Sequence, residues 1–169
     1  DAIGGKFYVE ELAVLREDLG RLRGSPVTDA ELNASIRVYN DNRAAIRDLY
    51  AYRAAKPWQA PTSEVYLVLR AGMVLPVEEH TQLVRDYIAA ADAVARPKRD
   101  NARVVLTGAF CQQPPLALIK SIEMSGCYIV DDDFMLVTRW LLDDVPADGN
   151  PLEELSQAFL HRSATTAAS

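Results

Sequence analysis

Two short runs and four scattered side chains could do chemistry in this 169-residue chain. The first run is Gly108-Ala109-Phe110-Cys111-Gln112-Gln113, and the second is Asp131-Asp132-Asp133. A glycine lets the backbone come close to a ligand or take positive φ. Phe110 offers an apolar face. Gln112 and Gln113 offer neutral donors and acceptors, which can meet a polar ligand without burying a charge. Gly108, Phe110, Gln112 and Gln113 are therefore the candidate substrate contacts, with a purely turn-shaping and packing role as the alternative. The three carboxylates admit two readings. One is a site for a divalent cation or for hydroxyl groups. The other is a polar strand end in which one aspartate caps the next helix. Arg139 lies six residues past Asp133, so Asp132 and Arg139 together form a candidate polar or anion site.

The scattered groups are Cys111, Cys127, His80 and His161. A thiol near a helix N-terminus can become a nucleophile or a ligand, and Cys111 has that position; the plainer role is local packing. Cys127 opens a strand and belongs to the core. His80 is expected at an exposed or edge position. No CxxC, HExxH or Cys/His cluster occurs, so the spacing contains no complete metal site. GxGxxG and GxxxxGK[ST] are also absent, which leaves nucleotide binding by those routes unsupported.

These groups need elements to hold them. Leu12, Leu15, Leu19 and Leu22 share one helix face, and that helix stops near Gly24-Ser25-Pro26. Thr28-Asp29-Ala30-Glu31 is a capping-box pattern. It opens a helix to about Ala55, with Leu32, Ile36, Tyr39, Ile46 and Tyr50 on one face. Arg43 falls in the same stripe, either snorkelling at the rim or buried against a carboxylate. Thr62 is placed as N-cap of a helix through Val65, Tyr66, Leu69 and Met73. Pro76 opens another, with Leu83, Tyr87, Ile88, Ala91 and Val94 as its apolar face. After a polar loop at residues 96–101, Arg103–Thr107 reads as a short buried strand. Pro114-Pro115 opens a helix carrying Leu116, Ile119 and Ile122, and Gly126 suits its C-terminal cap. Cys127–Asp131 is the next strand. This strand–loop–helix–strand order predicts a parallel βαβ crossover. A helix is expected over Phe134–Leu142. A last one begins at Asn150-Pro151-Leu152-Glu153.

Parallel α/β units bind ligands at the carboxyl ends of their strands. Both chemical runs, Gly108–Gln113 and Asp131–Asp133, follow such ends. Cys111 and Cys127 fall at opposite ends of neighbouring strands, roughly 15 Å apart at ~3.3 Å per residue. That spacing excludes a disulfide and a shared cluster.

Composition narrows the class. Apolar residues are 49% and charged residues 25%, as in globular domains rather than disordered chains. Net charge is −6. The excess lies in residues 131–154, where eight acids face Arg139 alone. There is no basic stripe for nucleic acid, no apolar run long enough to span a membrane, and no signal-peptide pattern. The opening Asp1-Ala2-Ile3-Gly4 reads as a cut inside a longer protein, and two cysteines without an export signal point to the cytoplasm.

The runs Arg103-Val104-Val105-Leu106-Thr107-Gly108-Ala109-Phe110-Cys111-Gln112-Gln113-Pro114-Pro115 and Ser121-Ile122-Glu123-Met124-Ser125-Gly126-Cys127-Tyr128-Ile129-Val130-Asp131-Asp132-Asp133 resemble the benzoyl-CoA reductase and 2-hydroxyacyl-CoA dehydratase family. Thr28 to Arg53, with Leu32, Tyr39-Asn40, Arg43 and Leu49-Tyr50, is similar to that family's helical lead-in. The resemblance covers nearly the whole chain and is strongest to the gamma (C) subunits of ATP-dependent benzoyl-CoA reductases. It implies an anaerobic, heteromeric oxidoreductase complex of aromatic compound degradation. A paired cluster-bearing subunit and [4Fe-4S] clusters carry electrons. ATP-hydrolysing subunits deliver them from a low-potential donor such as ferredoxin, and benzoyl-CoA is reduced to a cyclic dienoyl-CoA. The family's cluster cysteines match nothing here, so this chain is expected to be a middle segment that binds no cluster and is inactive alone.

The expected fold is helix-rich α/β: a helical lead-in over residues 1–60, then an α/β domain over 61–169 with a small parallel, Rossmann-like βαβ unit. The expected function is that of a benzoyl-CoA reductase subunit acting on benzoyl-CoA or a related acyl-CoA, with no nucleic-acid or membrane partner. A radical 2-hydroxyacyl-CoA dehydratase subunit and a non-catalytic scaffold domain are the alternatives.

Overall fold

The computed structural model describes residues 2–107, 114–133 and 143–166. Among these, six helices and one parallel strand pair follow in the order α1 (Ala2–Arg23), α2 (Asp29–Ala55), α3 (Thr62–Ala71), α4 (Val77–Ala93), β1 (Ala102–Leu106), α5 (Leu116–Met124), β2 (Cys127–Asp132) and α6 (Pro151–Thr166). The helix-rich α/β class is as expected. The chain divides into two compact units, residues 1–40 with 142–169, and residues 41–141. No helix among the described residues is long and apolar enough to cross a membrane.

In the first unit α1 packs on α6. Tyr8 stacks on Phe159 with ring centroids 4.3 Å apart, and the buried Ser156 hydroxyl donates to the Gly5 carbonyl at 3.1 Å. Gly24 ends α1 at φ 79°, a conformation that costs a glycine little. The capping box forms as expected. Glu31 accepts the Thr28 N–H at 2.8 Å, and the Glu31 N–H reaches the Thr28 hydroxyl at 3.3 Å. The Arg23 guanidinium and the Thr28 donors together pull the Glu31 carboxyl down to about 2. Asn40 clamps the backbone of Val145, donating to its carbonyl at 2.8 Å and accepting its N–H at 3.0 Å. That clamp seats Val145 and Ala147 against Ile36. Asn150 caps α6 by accepting the Leu152 N–H at 3.1 Å, with Pro151 at the first helical position.

The leucine stripe of α1 forms but is not a core face. Leu15, Leu19 and Leu22 are 53%, 49% and 86% exposed, and Leu12 is half-buried.

The second unit is built around Ala45, Ile46, Leu49, Ala60, Val65, Leu69 and Val84. A second cluster, Tyr66, Ile119 and Ile129, sits under the strands. Three expectations are corrected here. Thr62 is not a cap but the first residue of α3. Its N–H goes to Glu123 Oε1 at 2.8 Å and its hydroxyl to the Ile129 carbonyl at 3.3 Å, so a buried threonine ties α3 to α5 and β2. On α4 Ala91 is buried and Tyr87 and Ile88 pack against the core as expected, but His80, Thr81 and Val84 are buried too and Val94 is exposed. The inward face is thus broader than the apolar stripe, because His80 and Thr81 are satisfied by hydrogen bonds and can be buried. Finally, β1 is not buried on both faces: Val104 and Leu106 pack inward and Val105 is exposed.

Candidate functional site

The βαβ unit is parallel, as the sequence predicts, with Ala102 opposite Cys127 and Leu106 opposite Asp132. Gly126 closes α5 at φ 89° and starts β2. The Cys127 end is therefore the amino end, and Leu106 and Asp132 mark the carboxyl edge. The Asp133 N–H continues the pairing onto the Leu106 carbonyl at 3.2 Å.

The register is irregular between Val104 and Val105: Val104 faces Ile129, but Val105 faces Asp131. One extra residue, Val130, sits on β2. In a regular strand Ile129 and Asp132, three apart, point to opposite faces. An extra residue inverts that parity. Paired residues of parallel strands share a face, so Val104, Leu106, Ile129 and Asp132 all point inward. The bulge is what aims a carboxylate into the interior.

The interior provides its partner. Arg53 Nη1 donates to Asp132 Oδ2 at 2.6 Å, with side chains 1% and 3% exposed. Tyr50, one helical turn before Arg53 on α2, donates its hydroxyl to Asp132 Oδ1 at 3.4 Å. Its ring lies under the guanidinium, 4.6 Å from centroid to Cζ. Burial and the Asp132 charge push the Tyr50 hydroxyl well above the ordinary phenol range, so it stays protonated and can donate. Two charges taken from water cost several kcal/mol each unless paired and hydrogen-bonded. Here each charge supplies the other's partner.

The carboxyl edge thus rests on an Arg–Asp–Tyr cluster contributed by β2 and α2. Of the groups singled out from sequence, Asp132 belongs to it. Gly108, Phe110, Cys111, Gln112, Gln113 and Arg139 lie outside the described residues, as does the helix expected over 134–142. Thr107 and Pro114, which flank the Gly108–Gln113 run in sequence, are described. The sequence allows an arginine buried against a carboxylate at Arg43, which is half-buried; a fully buried pair forms at Arg53, ten residues on. The signal was present, since Arg53 follows Ile46 by seven residues and Leu49 by four, on the same helix face.

His80 is buried rather than exposed, a further correction within the same unit. Asn42 Nδ2 donates to its Nδ1 at 2.9 Å and to the Thr81 hydroxyl at 2.9 Å, and Nε2 meets the Val68 carbonyl at 3.1 Å. An imidazole that accepts at Nδ1 and donates at Nε2 is neutral. Burial holds it below the ordinary imidazole range. Both ring nitrogens are committed to the fold.

No group of three or more His, Cys, Asp or Glu side chains among the described residues is placed to hold a metal. An iron–sulfur cluster needs several thiolates. The described residues offer Cys127 at the amino end of β2, away from the carboxyl edge. They do not fit a cluster.

Sequence comparison supplies the family. A family model described as "2-hydroxyglutaryl-CoA dehydratase, D-component" matches residues 3–168. This chain belongs to the 2-hydroxyglutaryl-CoA dehydratase D-component family. It is 56% identical over 168 residues to a benzoyl-CoA reductase subunit of Thauera aromatica, covering 99% of this chain and 44% of the relative. The beta subunit of lactoyl-CoA dehydratase from Anaerotignum propionicum is 30% identical over 155 residues, covering 91% and 41%. The beta subunit of (R)-2-hydroxyglutaryl-CoA dehydratase from Acidaminococcus fermentans is 26% identical over 160 residues, covering 94% and 42%. The D-component family therefore accounts for the chain along almost its whole length, while the chain spans less than half the length of these relatives.

Proposed function

We propose that this D-component chain is part of a subunit of a benzoyl-CoA reductase-type complex, which reduces benzoyl-CoA to a cyclic dienoyl-CoA. The observation that carries this reading is the contrast in identity: 56% to a benzoyl-CoA reductase subunit against 30% and 26% to the two dehydratase subunits. The reaction adds two electrons and two protons to the ring. The electrons come from a low-potential donor such as ferredoxin, and partner subunits hydrolyse ATP to drive them. The [4Fe-4S] cluster is assigned to the intact subunit outside the described residues, since those residues lack its ligand set. The complex is assigned to the cytoplasm.

Within the reaction this chain's part is to shape the acyl-CoA side of the site. Gly108, Phe110, Gln112 and Gln113 are proposed as contacts, because their loop leaves the carboxyl edge of β1. The Arg53–Asp132 pair underlies that edge and fixes β2 to α2. A second reading, a radical 2-hydroxyacyl-CoA dehydratase subunit, draws on the family description itself. Benzoyl-CoA and 2-hydroxyacyl-CoA esters offered to the assembled complex test the two readings: benzoyl-CoA turnover supports the first, and dehydration alone supports the second.

A further inference from the structure

Arg53 uses one of its donors on Asp132. Its Nε and Nη2 are buried and have no hydrogen-bond partner among the described residues. These two nitrogens are not arbitrary: Nε–H and one Nη–H point the same way and form the side-on fork with which arginine grips two oxygens, or one oxygen twice. An unmade hydrogen bond on a buried charged group is costly, so a completed site puts an acceptor there.

The nature of the acceptor follows from the charges nearby. The guanidinium is already neutralised by Asp132 at 2.6 Å. A further anion here would meet the Asp132 carboxylate that already holds the guanidinium. A neutral oxygen meets no such repulsion and still accepts both donors. We infer that the Nε/Nη2 fork of Arg53 is a binding site for neutral carbonyl oxygen at the carboxyl edge of the parallel strand pair.

Two sources carry that chemistry: the thioester or amide carbonyls of an acyl-CoA, and a main-chain carbonyl of the protein's own edge. The first rests on the function proposed above; the second does not. Arg53→Lys separates them, because lysine keeps the positive charge for Asp132 and loses the fork. The test uses the intact subunit in its assembled complex. Benzoyl-CoA turnover by the wild-type complex decides the functional reading independently of any variant. If the fork holds a ligand carbonyl, Arg53→Lys raises KM for benzoyl-CoA at least tenfold, with amide hydrogen exchange across residues 105–116 unchanged. If it holds a main-chain carbonyl, KM stays within twofold and amide hydrogen exchange across residues 105–116 accelerates at least tenfold. Should Arg53→Lys fail to assemble, the double variant Arg53→Gln with Asp132→Asn keeps a neutral hydrogen-bonded pair and is read by the same two measurements. Unchanged KM together with unchanged exchange would overturn the inference, leaving the fork to a buried water. Stabilisation of the wild type by inorganic phosphate or benzoate, lost in Arg53→Lys, would overturn it too by placing an anion in the fork.

Discussion

Arg53 and Asp132 are 79 residues apart and hold each other at 2.6 Å, both out of solvent. The pair bolts the last turns of α2 to the end of β2. Removing one member leaves the other charge buried and unpaired, which typically costs about 3–5 kcal/mol. Arg53→Met is expected to lose that much in urea denaturation. Arg43→Met, at a half-buried position on the same helix, is expected to lose less than about 1 kcal/mol. Equal losses at the two positions would show that the pair is not a special anchor.

His80 predicts a pH dependence. Its ring is neutral in the folded chain, with a pKa lowered chiefly by burial. The unfolded chain takes up a proton near the ordinary value of about 6.5. The unfolded state therefore binds more protons below that pH, and stability rises with pH through this window. The contribution is fully present above about pH 6.5 and is lost as pH falls below it. Urea midpoints at pH 7.5 and 5.5 should differ more in the wild type than in His80→Gln. A wild-type slope no steeper than the variant's would show that His80 is charged in the fold.

The same histidine explains a glycine. A Cβ placed on Gly72 would come within 2.7 Å of the His80 ring, which is held by Asn42 and Val68. Gly72 has an ordinary helical φ of −65°, so the constraint is space and not backbone strain. Gly72→Ala is expected to destabilise by about 1–3 kcal/mol. In His80→Ala the same change should cost far less, a coupling that a double-mutant cycle reads directly. Additive losses would mean that the ring does not set the constraint.

What was legible in the sequence was whatever is written locally. The Thr28/Glu31 box, the stop at Gly24, the Asn150-Pro151 start and the Gly126 cap all form because short-range hydrogen bonds and φ preferences decide them. The parallel βαβ order was legible from element lengths. What escaped depends on long-range contact. Thr62 reads as a cap until β2 and Glu123 are there to take its hydroxyl and its N–H. His80 reads as a surface group until Asn42 arrives from α2. Asp132 reads as a solvated strand end because the extra residue at Val130 is invisible to a period-two count. The leucine stripe of α1 shows the converse limit: periodicity reveals a face but not what covers it.

The loop after β1 yields a separate expectation. If Gln112 and Gln113 contact the acyl-CoA, Gln112→Ala and Gln113→Ala should raise KM in the assembled complex, with kcat and melting temperature unchanged, as loss of uniform binding does. Wild-type kinetics in a stable complex would remove them from the contact set. Failure to assemble would assign them to packing.

The proposed role of this chain is in reduction of an aromatic acyl-CoA and not in dehydration of a hydroxyacyl-CoA. The direct measurement is anaerobic turnover by the intact subunit assembled with its partners, supplied with ATP and a low-potential reductant. Benzoyl-CoA and a 2-hydroxyacyl-CoA are offered in parallel and the products identified by mass. The expected result is ATP-dependent formation of a product heavier than benzoyl-CoA by the mass of two hydrogens, and no loss of water from the hydroxyacyl ester. Dehydration of the hydroxyacyl ester with benzoyl-CoA left intact would contradict it.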